Sequence, residues 1–511
     1  MVMMILRIWK EVIKIEFISE IIQNNSYFNN IKSGIVLGMT KNKKKETIYV
    51  VGDDVHTICI GATRSGKSRY VVIPTICSLG LAGESMVLSD PKGELYNYTQ
   101  PFLKRLGYEV IAVDFKNPLK SHRYNFLQPA IDQIERNNIP KAIECAWDIT
   151  SSLVGEAKGE KIWTNGEAST IAGSIMNVVY DNRKQHMKRY QNMTNAYFFI
   201  ANMYKTIGKE MPITHYMERL QDNHPARGLI AISEIAPSKT RGSFFTAALT
   251  TLRLFTNPLI HSMTCSSDFD PKDLGKKKVA LFIILPDEKK TYYSLASLLV
   301  SQIYEQLVAV ADERGGRLEN RVNFLLDEFG NFTPIPDFDT KLTVGGGRGI
   351  RFNIFLQDFA QLDAKYGKEV SKIIRGNCEN WIYLQTNDQD TLDELSKKLG
   401  NYTVSTYSLS SSSGKYSSSS SSQSINLTGR SLLTPSEIKL IVRPYSLIIS
   451  KSHPAIMYAP DLSEYKFNTM LGLGDKEHNT KVRELRENRR KAREIKEGGM
   501  DLWKIWEQFS Y

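Results

Sequence analysis

The residues best suited to chemistry lie in one glycine-rich stretch near the start of the chain. Residues 61–68 read GATRSGKS and match the pattern G-x-x-x-x-G-K-[ST] at every defined position. In such a loop, backbone N–H groups and the amino end of the next helix surround an anion. The stretch therefore predicts a phosphate-binding loop, in which Lys67 reaches the β- and γ-phosphates of ATP and Ser68 is a ligand of Mg²⁺. The residues of this candidate site are Gly61, Ala62, Thr63, Arg64, Ser65, Gly66, Lys67 and Ser68.

Both flanks of the loop fit this interpretation. Residues 57–60 form a short apolar run that predicts a strand, and residues 68–73 predict the start of a helix. Pro74 lies one to two turns into that helix and is expected to kink it or end it early. The alternative is a plain glycine turn between a strand and a helix.

A second candidate element is an acidic pair behind an apolar run. Residues 324–326 read FLL and are followed by Asp327 and Glu328. In phosphate-loop ATPases an aspartate in this place holds the Mg²⁺ shell, and a polar residue beside it orients the attacking water. We expect Asp327 to hold the metal and Glu328 to polarise the water. A nucleotide switch needs no base at position 328, so the pair predicts hydrolysis as well as binding.

Four further polar residues follow apolar strands or lie in a glycine turn. Gln357 ends an apolar run and is predicted to bond the γ-phosphate or the water, unless it is an ordinary strand-end glutamine. Arg348 lies in the run GGGRG and is predicted to be a finger for a neighbouring subunit's phosphates, unless it is a surface arginine. Asp90 and Lys92 follow another strand, where Asp90 would orient metal or water and Lys92 would meet phosphate. A capped strand-to-helix turn would use similar residues.

The elements that must position these residues follow an α/β pattern. Near-continuous apolar runs without alternation indicate strands of a parallel sheet that is covered on both faces. Such runs occur at residues 57–60, 85–90, 109–114, 278–285, 322–327, 351–357 and 381–385. Strands and helices alternate in residues 51–125 and 277–465, which predicts one nucleotide-binding domain. Helix-period segments dominate residues 126–276, which predicts a mostly helical insertion.

Three segments lie outside this pattern. Residues 1–50 form an N-terminal segment whose first 22 residues predict an amphipathic helix packed on the body, with a membrane-surface or partner-binding helix as the alternative. Residues 405–424 are mostly serine and predict a flexible surface loop. Residues 466–511 predict a charged helical tail, in which residues 481–496 favour a solvated helix over a nucleic-acid contact.

The composition bounds the class of protein. The chain has 511 residues, of which 41% are hydrophobic and 24% charged, and these values exclude collagenous and wholly disordered proteins. A net charge of +11 favours contact with nucleic acid or an anionic membrane, with a merely basic protein as the alternative. Five scattered cysteines favour a reducing cytoplasm over a disulfide framework or a zinc site. About twenty apolar residues without charges occur nowhere in the sequence, so no transmembrane helix is expected.

Taken in order, the motifs resemble those of the VirD4/TraG coupling proteins of type IV secretion and conjugation. The resemblance spans roughly residues 35–465 and rests on residues 61–68, 72–75, 88–95, 325–331, 345–349, 355–357 and 433–438. It implies a RecA-like, usually hexameric ATPase that recruits relaxase-bound DNA or effector proteins and feeds them to a secretion channel. It also implies that residues 126–276 are the all-α domain that recognises the cargo. Family members usually begin with two transmembrane helices, and without them we expect a cytoplasmic chain held at the inner face of the membrane by a separate subunit.

The sequence as a whole predicts a DNA-dependent ATPase that acts as a conjugative coupling protein with ATP and Mg²⁺. Single- or double-stranded DNA would be gripped through its backbone without base readout. Relaxase or relaxosome proteins and the ATPases of the secretion channel are the expected protein partners. The active form is expected to be a homo-hexamer, and the protein in isolation a monomer. Three alternatives stay open: a general FtsK/HerA-type DNA translocase, a non-hydrolysing ATP-gated cargo receptor and a monomeric DNA-binding adaptor.

Overall fold

A computed structural model of the chain describes residues 12–18, 33–42, 45–155, 160–206, 210–286, 288–414, 417–450, 454–494 and 499–509. Two units can be distinguished by the density of contacts within each. The first unit comprises Met1–Ser78 and Asn353–Asn468, and the second comprises Leu79–Phe352 and Thr469–Tyr511.

The strands and helices of the described residues are numbered here in chain order. The strands are β1 (Val12–Ile18), β2 (Val36–Asn42), β3 (Lys45–Val51), β4 (Thr57–Gly61), β5 (Ser85–Asp90), β6 (Glu109–Asp114), β7 (Val279–Ile284), β8 (Val322–Leu326), β9 (Ile350–Leu356), β10 (Asn380–Gln385), β11 (Asn401–Gly414), β12 (Ser417–Ser431), β13 (Tyr445–Ile449) and β14 (Ala455–Tyr458). The α-helices are α1 (Ile73–Ala82), α2 (Glu94–Arg105), α3 (Gln128–Glu135), α4 (Ile139–Val154), α5 (Lys161–Asp181), α6 (Met193–Met203), α7 (Pro212–Arg219), α8 (Pro225–Ile235), α9 (Ser238–Leu252), α10 (Pro258–Thr264), α11 (Tyr293–Glu313), α12 (Phe338–Gly345), α13 (Phe359–Asn377), α14 (Gln389–Leu399), α15 (Pro435–Lys439), α16 (Lys466–Met470) and α17 (Lys476–Asn488).

Nine of the described strands join in one sheet, in the order β14-β13-β10-β4-β9-β8-β5-β7-β6. In the first unit, β4 pairs in parallel with β10 and β9, whereas β13 pairs antiparallel with β10 and β14. In the second unit, β5 pairs in parallel with β7 and β8, and β6 with β7. Every residue of β4, β5, β7, β8 and β9 is buried, which explains why their apolar runs do not alternate. The predicted α/β fold with a mostly parallel sheet is confirmed.

Helices α3 to α10 occupy the chain between β6 and β7, within the second unit. Helix α5 lies at their centre, with Ile171, Ile175 and Val178 fully buried. Its Gly173 lets the backbone approach α8 closely, because a Cβ there would clash with Cγ1 of Ile230. The sequence pattern predicted helices in this segment. The two compact units do not separate it from β5 to β8, so the domain boundaries at residues 126 and 276 stay predictions.

The amphipathic helix predicted for residues 1–22 is wrong where the structure describes this segment. Strand β1 pairs antiparallel with β3 in a three-stranded sheet of order β1-β3-β2. Residues 13–17 read IKIEF, so apolar and charged residues alternate with the two-residue period of a strand. This alternation was the signal that favoured a strand over a helix. The rest of residues 1–22 lies outside the described residues.

The flexible loop predicted for residues 405–424 is also wrong. Residues 401–414 and 417–431 pair as the antiparallel strands β11 and β12, with Tyr402 opposite Arg430 and Ser412 opposite Ser420. Backbone hydrogen bonds between the two strands need no buried side chains, so a serine-rich composition does not prevent them. Residues 415–416 lie outside the described residues.

The charged tail is less solvated than the sequence predicted. Arg486 of α17 donates from Nη1 to the carbonyls of Asn97 and Tyr98, both at 2.9 Å. Arg490, directly behind the helix, donates from Nη1 to Oδ2 of Asp114 at 2.6 Å, and the Asp114 side chain is fully buried. A buried carboxylate requires such a partner, which a sequence pattern cannot reveal. Residues 476–490 are therefore fastened to the second unit.

One helix of the described residues is long and apolar enough to cross a membrane, namely Lys290–Glu313, which includes α11. Of its most apolar window, 72% is buried within the fold. Leu295, Leu299 and Ile303 are fully buried. The sequence predicted no segment of this kind, yet this helix is long and apolar enough to be one. Its burial is that of a helix in the core of the fold.

Candidate functional site

The phosphate loop follows β4 and leads into a π-helical turn, Ser68–Val72, which continues as α1. Arg64 and Gly66 have positive φ values of 67° and 90°. A Cβ at Gly66 would lie 2.5 Å from the Tyr70 ring, so only glycine fits there. Alternation between left-handed and right-handed backbone turns successive N–H groups inward, which creates a concave anion site. Pro74 is accommodated by the wider π-turn in front of it, and the helix continues to Ala82 instead of ending early.

Two side chains of the loop face its interior. Lys67 is 6% exposed, and its Nζ donates to the carbonyl of Gly61 at 2.7 Å. The Oγ of Ser65 is buried and has no hydrogen-bond partner among the described residues. A Cβ on Gly61 would clash with that Oγ and lie 2.9 Å from Cγ of Lys67. A buried ammonium group, an unpartnered hydroxyl and inward N–H groups suit a bound phosphate.

The first unit brings Gln357 to the side of the loop. Ile60 and Leu356 are register partners in the parallel pair of β4 and β9, so Gly61 and Gln357 follow adjacent strand ends. The backbone N–H of Gln357 donates to Oε1 of Gln361 at 3.1 Å. On the other flank, the N–H of Ala62 donates to the carbonyl of Gln385 at 2.7 Å. Sequence reasoning missed Gln385, because only strand order reveals that β10 lies beside β4.

An arginine next to the loop fastens the following helix. Nε and Nη2 of Arg69 donate to Oδ2 and Oδ1 of Asp461, each at 2.6 Å. Burial raises the pKa of Asp461, but hydrogen bonds from Arg69 and Ser463 outweigh this and hold the pKa at about 2. The pair ties the turn behind the phosphate loop to the chain that follows β14. Sequence reasoning missed it, since no local pattern links residues so far apart.

In the second unit, acidic residues meet at the carboxyl ends of β5 and β8. Ser89 and Leu326 are register partners, so Asp90 and Asp327 follow adjacent positions. The Oγ of Ser89 donates to the backbone carbonyl of Asp327 at 2.7 Å. Asp327 is 5% exposed, and its Oδ1 accepts from the N–H of Glu328 at 3.0 Å. Glu328 has a φ of 52°, a left-handed conformation that is uncommon outside glycine and clusters at functional sites.

Asp90 supports the start of α2. It is 1% exposed, and its Oδ2 accepts from the N–H of Tyr96 at 2.8 Å. Its pKa is raised to about 7, mainly by burial and also by the charges of Glu94 and Asp327, although hydrogen bonds from the backbone N–H groups of Tyr96 and Leu95 lower it. This is the capped strand-to-helix turn that the sequence left open as an alternative. Lys92, in the same turn, is exposed.

Arg348 lies at the other end of the strands. The N–H of Val322, at the start of β8, donates to the carbonyl of Gly349, whereas Asp327 follows the end of β8. Five strand residues separate these ends, which is about 16 Å at 3.3 Å per residue. Nη2 of Arg348 donates to Oδ1 of Asp312 at 3.0 Å. The second unit therefore does not bring Arg348 to its acidic cluster.

These features define a class of protein: an α/β fold with a phosphate loop at the carboxyl end of a parallel strand, which is the P-loop nucleotide-binding architecture. The chain belongs to the family of type IV secretory system conjugative DNA transfer proteins, whose family model matches residues 18–462. The resemblance to VirD4/TraG coupling proteins that the motifs indicated is confirmed.

Curated relatives bear the same names. Protein VirD4 of Agrobacterium fabrum (strain C58) is 24% identical over 435 residues, which is 84% of this chain and 62% of the relative. Conjugal transfer protein TraG of Escherichia coli is 26% identical over 422 residues, which is 79% of this chain and 65% of the relative. The chain thus spans less than two thirds of the length of these relatives.

Solved structures show the same fold. The unbound bacterial conjugative coupling protein TrwBdeltaN70 aligns with a TM-score of 0.60 at 16% identity, over 80% of this chain and 85% of that chain. TrwB in complex with the non-hydrolysable ATP analogue ADPNP aligns with a TM-score of 0.59, and TrwB with ADP and Mg²⁺ with a TM-score of 0.57, both at 16% identity over 80% of this chain and 86% of that chain.

Proposed function

We propose that this protein is an ATP-hydrolysing coupling protein of conjugative type IV secretion. The observation that carries the proposal is the phosphate loop, with its inward backbone, buried Lys67 and unpartnered Ser65 Oγ, in a chain of this family. TrwB, which shares the fold, binds an ATP analogue and ADP with Mg²⁺, and this supports ATP and Mg²⁺ as the ligands of this chain.

The residue roles in this proposal follow the chemistry of phosphoryl transfer. The loop, residues 61–68, is proposed to hold the phosphates, and Gln357 to bond the γ-phosphate or the water. Asp327 is proposed to hold the Mg²⁺ shell, with Ser68 of the loop, and Glu328 to polarise the water. When bound, Mg²⁺ neutralises charge that builds up on the phosphate oxygens. Lys92 is proposed to meet phosphate, and Asp90 to hold the turn beside Asp327.

Arg348 is proposed to act on a neighbouring subunit. Gly349, next to it, lies beside the start of β8, whereas Asp327 follows the end of this strand, which is about 16 Å long, and this argues against a role of Arg348 toward its own acidic cluster. A site completed by another molecule makes hydrolysis depend on assembly, and head-to-tail contacts that close produce a ring. We propose a homo-hexamer as the active form.

The proposed partners follow from charge and family. A net charge of +11 supports a sequence-independent grip on the DNA backbone. Relaxase-bound DNA is the proposed cargo, and helices α3 to α10 are the proposed cargo-binding part. The secretion-channel ATPases and a separate membrane subunit at the inner face of the cell membrane complete the assembly. Fractionation of cells that express this chain alone tests the last point: most of it is expected in the cytosol, and tight membrane association without a partner would contradict it.

The central experiment is an ATPase assay of the purified full chain with no DNA, single-stranded DNA or double-stranded DNA. Phosphate release is expected to rise when either DNA is added, and Lys67→Ala is expected to abolish it. ATP binding without phosphate release in all three conditions would overturn hydrolysis and favour a nucleotide-gated receptor. DNA binding that is unaffected by ATP, again without turnover, would favour an adaptor.

A further inference from the structure

Residues 501–509 form a short amphipathic peptide that lies on the helical part of the second unit. Leu502, Ile505, Trp506 and Phe509 follow the spacing i, i+3, i+4 and i+7 in the sequence, but the segment is not helical before Ile505, since Lys504 has a left-handed φ of 50°. These four residues and Trp503 are partly buried, whereas the polar residues Asp501, Lys504, Glu507 and Gln508 are exposed. A 3₁₀ turn covers Ile505–Gln508.

The side chain of Asn195 bonds the backbone of this peptide at two positions. Asn195 of α6 is 1% exposed. Its Nδ2 donates to the carbonyl of Asp501 at 3.1 Å, and its Oδ1 accepts from the N–H of Trp503 at 2.9 Å. One amide therefore bonds both backbone groups that flank residue 502. Such a clamp recognises peptide backbone and is indifferent to the side chain that it encloses.

Two aromatic side chains of the peptide meet aromatic partners on α6 and α7. The Trp503 ring stacks on Phe199 with a centroid distance of 5.9 Å and an interplanar angle of 11°. The Phe509 ring meets Tyr216 edge to face at 5.7 Å and 89°. The guanidinium carbon of Arg219 lies 4.5 Å from the Phe509 ring centroid. Stacked rings and a cation over a ring face each stabilise a contact beyond the burial of apolar area.

The chain before the peptide is held independently. Arg490 and Arg486 fasten the end of α17 to Asp114 and to the start of the chain's second unit, as described above. The N–H of Arg493 donates to the carbonyl of Leu119 at 2.9 Å. Release of residues 501–509 would therefore leave α17 in place and keep the peptide tethered close to its surface.

We propose that the surface formed by Asn195, Phe199, Tyr216 and Arg219 is a docking site for an amphipathic protein segment, and that residues 501–509 are its intramolecular ligand. The partner that fits is a peptide with two aromatic side chains six residues apart and an acidic residue before the first, since Asp501 pairs with Arg189 at 3.2 Å. A tethered ligand has an effective concentration in the millimolar range, so a partner must bind well or be linked to its own second contact to displace it. This inference concerns protein recognition and does not depend on ATP hydrolysis.

A labelled synthetic peptide of residues 499–509 tests the proposal by fluorescence anisotropy with the full chain. Trp503→Ala/Phe509→Ala weakens the intramolecular ligand and should open the surface. The labelled peptide is expected to bind this variant at least about 10-fold more tightly than the wild type, as a competing tethered ligand requires. The same peptide with alanine at both aromatic positions should not bind, and Asn195→Leu added to the double variant should abolish binding.

Three results would overturn the proposal: no binding to the double variant, equal binding to the variant and the wild type, or binding that survives Asn195→Leu. Trp163→Ala removes an exposed aromatic of the same helical part outside the surface and is the matched control, which should bind like the wild type. Thermal unfolding checks that each variant is folded. Should the double variant unfold, Phe509→Ala alone retains the Asn195 clamp and is expected to give intermediate binding, and binding no tighter than wild type would count against the site.

Discussion

Two glycine-rich stretches that each contain a candidate phosphate-binding cation have different surroundings in this protein. In residues 61–68 the candidate is Lys67, which is buried and bonds a carbonyl of its own loop. In residues 345–349 the cation, Arg348, is partly exposed and pairs with a carboxylate of α11 at the opposite end of the strands from the acidic cluster. Composition alone does not distinguish them. The position along the strand does, because phosphate chemistry gathers at the carboxyl ends of parallel strands.

From this difference we propose that Lys67 binds its own chain's nucleotide and that Arg348 acts on another subunit. The first assignment rests on the loop's geometry. The second rests only on the position of Arg348 away from the acidic cluster of its own chain, so it has less direct support. Two other arginines near the glycine run or the end of α13 do not replace it: Arg351 is buried in an ion pair with Glu84, and Arg375 is buried against Glu394 and Asp363.

The largest expected effect is that of Lys67→Ala, which tests the proposal that Lys67 binds the nucleotide of its own chain. Loss of one positive charge at the developing phosphate charge should lower ATP turnover by about 100- to 1,000-fold or more, with the fold intact. Asp327→Ala is expected to act in the same way through the metal. Phosphate release and circular dichroism are the measurements, and Lys476→Ala, an exposed lysine of α17, is the control. Turnover near the wild-type rate in either variant would refute the assigned site.

Glu328→Gln separates binding from hydrolysis. The amide keeps the size of the side chain but cannot act as a base, so turnover should fall by about 100-fold or more while ATP stays bound. Equilibrium binding of a fluorescent ATP analogue and phosphate release measure the two quantities. Glu313→Gln, an exposed glutamate at the end of α11, is the matched control. A variant that binds no ATP would show that Glu328 is structural.

The features of this protein that could be predicted from its sequence differ in kind from those that could not. Local features were predictable: residues 61–68 predict the phosphate loop, and continuous apolar runs predict the buried parallel strands. Features that depend on distant partners were not, such as Arg69 with Asp461, Gln385 beside Ala62, and Asn195 with residues 501–503. The strand β1 and the hairpin of β11 and β12 were missed for another reason. In both, backbone pairing between strands decides the structure, and a prediction based on charge or serine content does not detect such pairing. The catalytic roles of Glu328, Gln357, Arg348, Asp90 and Lys92 stay predictions.

A smaller effect is expected at the ion pair of Arg69 and Asp461, behind the phosphate loop. Because the pKa of Asp461 is lowered to about 2 in the fold, its ion pair stabilises the native state above the ordinary aspartate pKa near 4. That stability should be lost as the pH falls from about 4 through about 2. Asp461→Asn is expected to lower the free energy of unfolding at pH 7 by on the order of 1 kcal/mol, since both partners are about one third exposed. Urea unfolding at pH 7 and pH 2.5 measures it, and an undiminished difference at pH 2.5 would contradict the assignment.

The smallest expected effect is that of Asp312→Ala, which tests the proposed role of Arg348 in another subunit. If Arg348 must leave Asp312 to reach a neighbour, removal of that carboxylate lowers the cost of leaving. An exposed ion pair contributes about 0.2–1 kcal/mol, so Asp312→Ala should raise turnover by about 1.4- to 5-fold at subsaturating protein concentration. The rate at several protein concentrations measures this. A drop in turnover would mean that the pair with Asp312 is the working arrangement.

Mixing of Lys67→Ala with Arg348→Ala tests most directly the claim that the two cations serve different chains. Each variant alone is expected to be inactive, and Arg348→Ala is expected to retain nucleotide binding because its arginine contributes nothing to its own pocket. In mixed assemblies some interfaces pair an intact loop with an intact finger, so the account predicts partial recovery of ATP turnover, which rises with protein concentration and with DNA. No recovery despite demonstrated co-assembly, or an Arg348→Ala protein as active as the wild type, would contradict it.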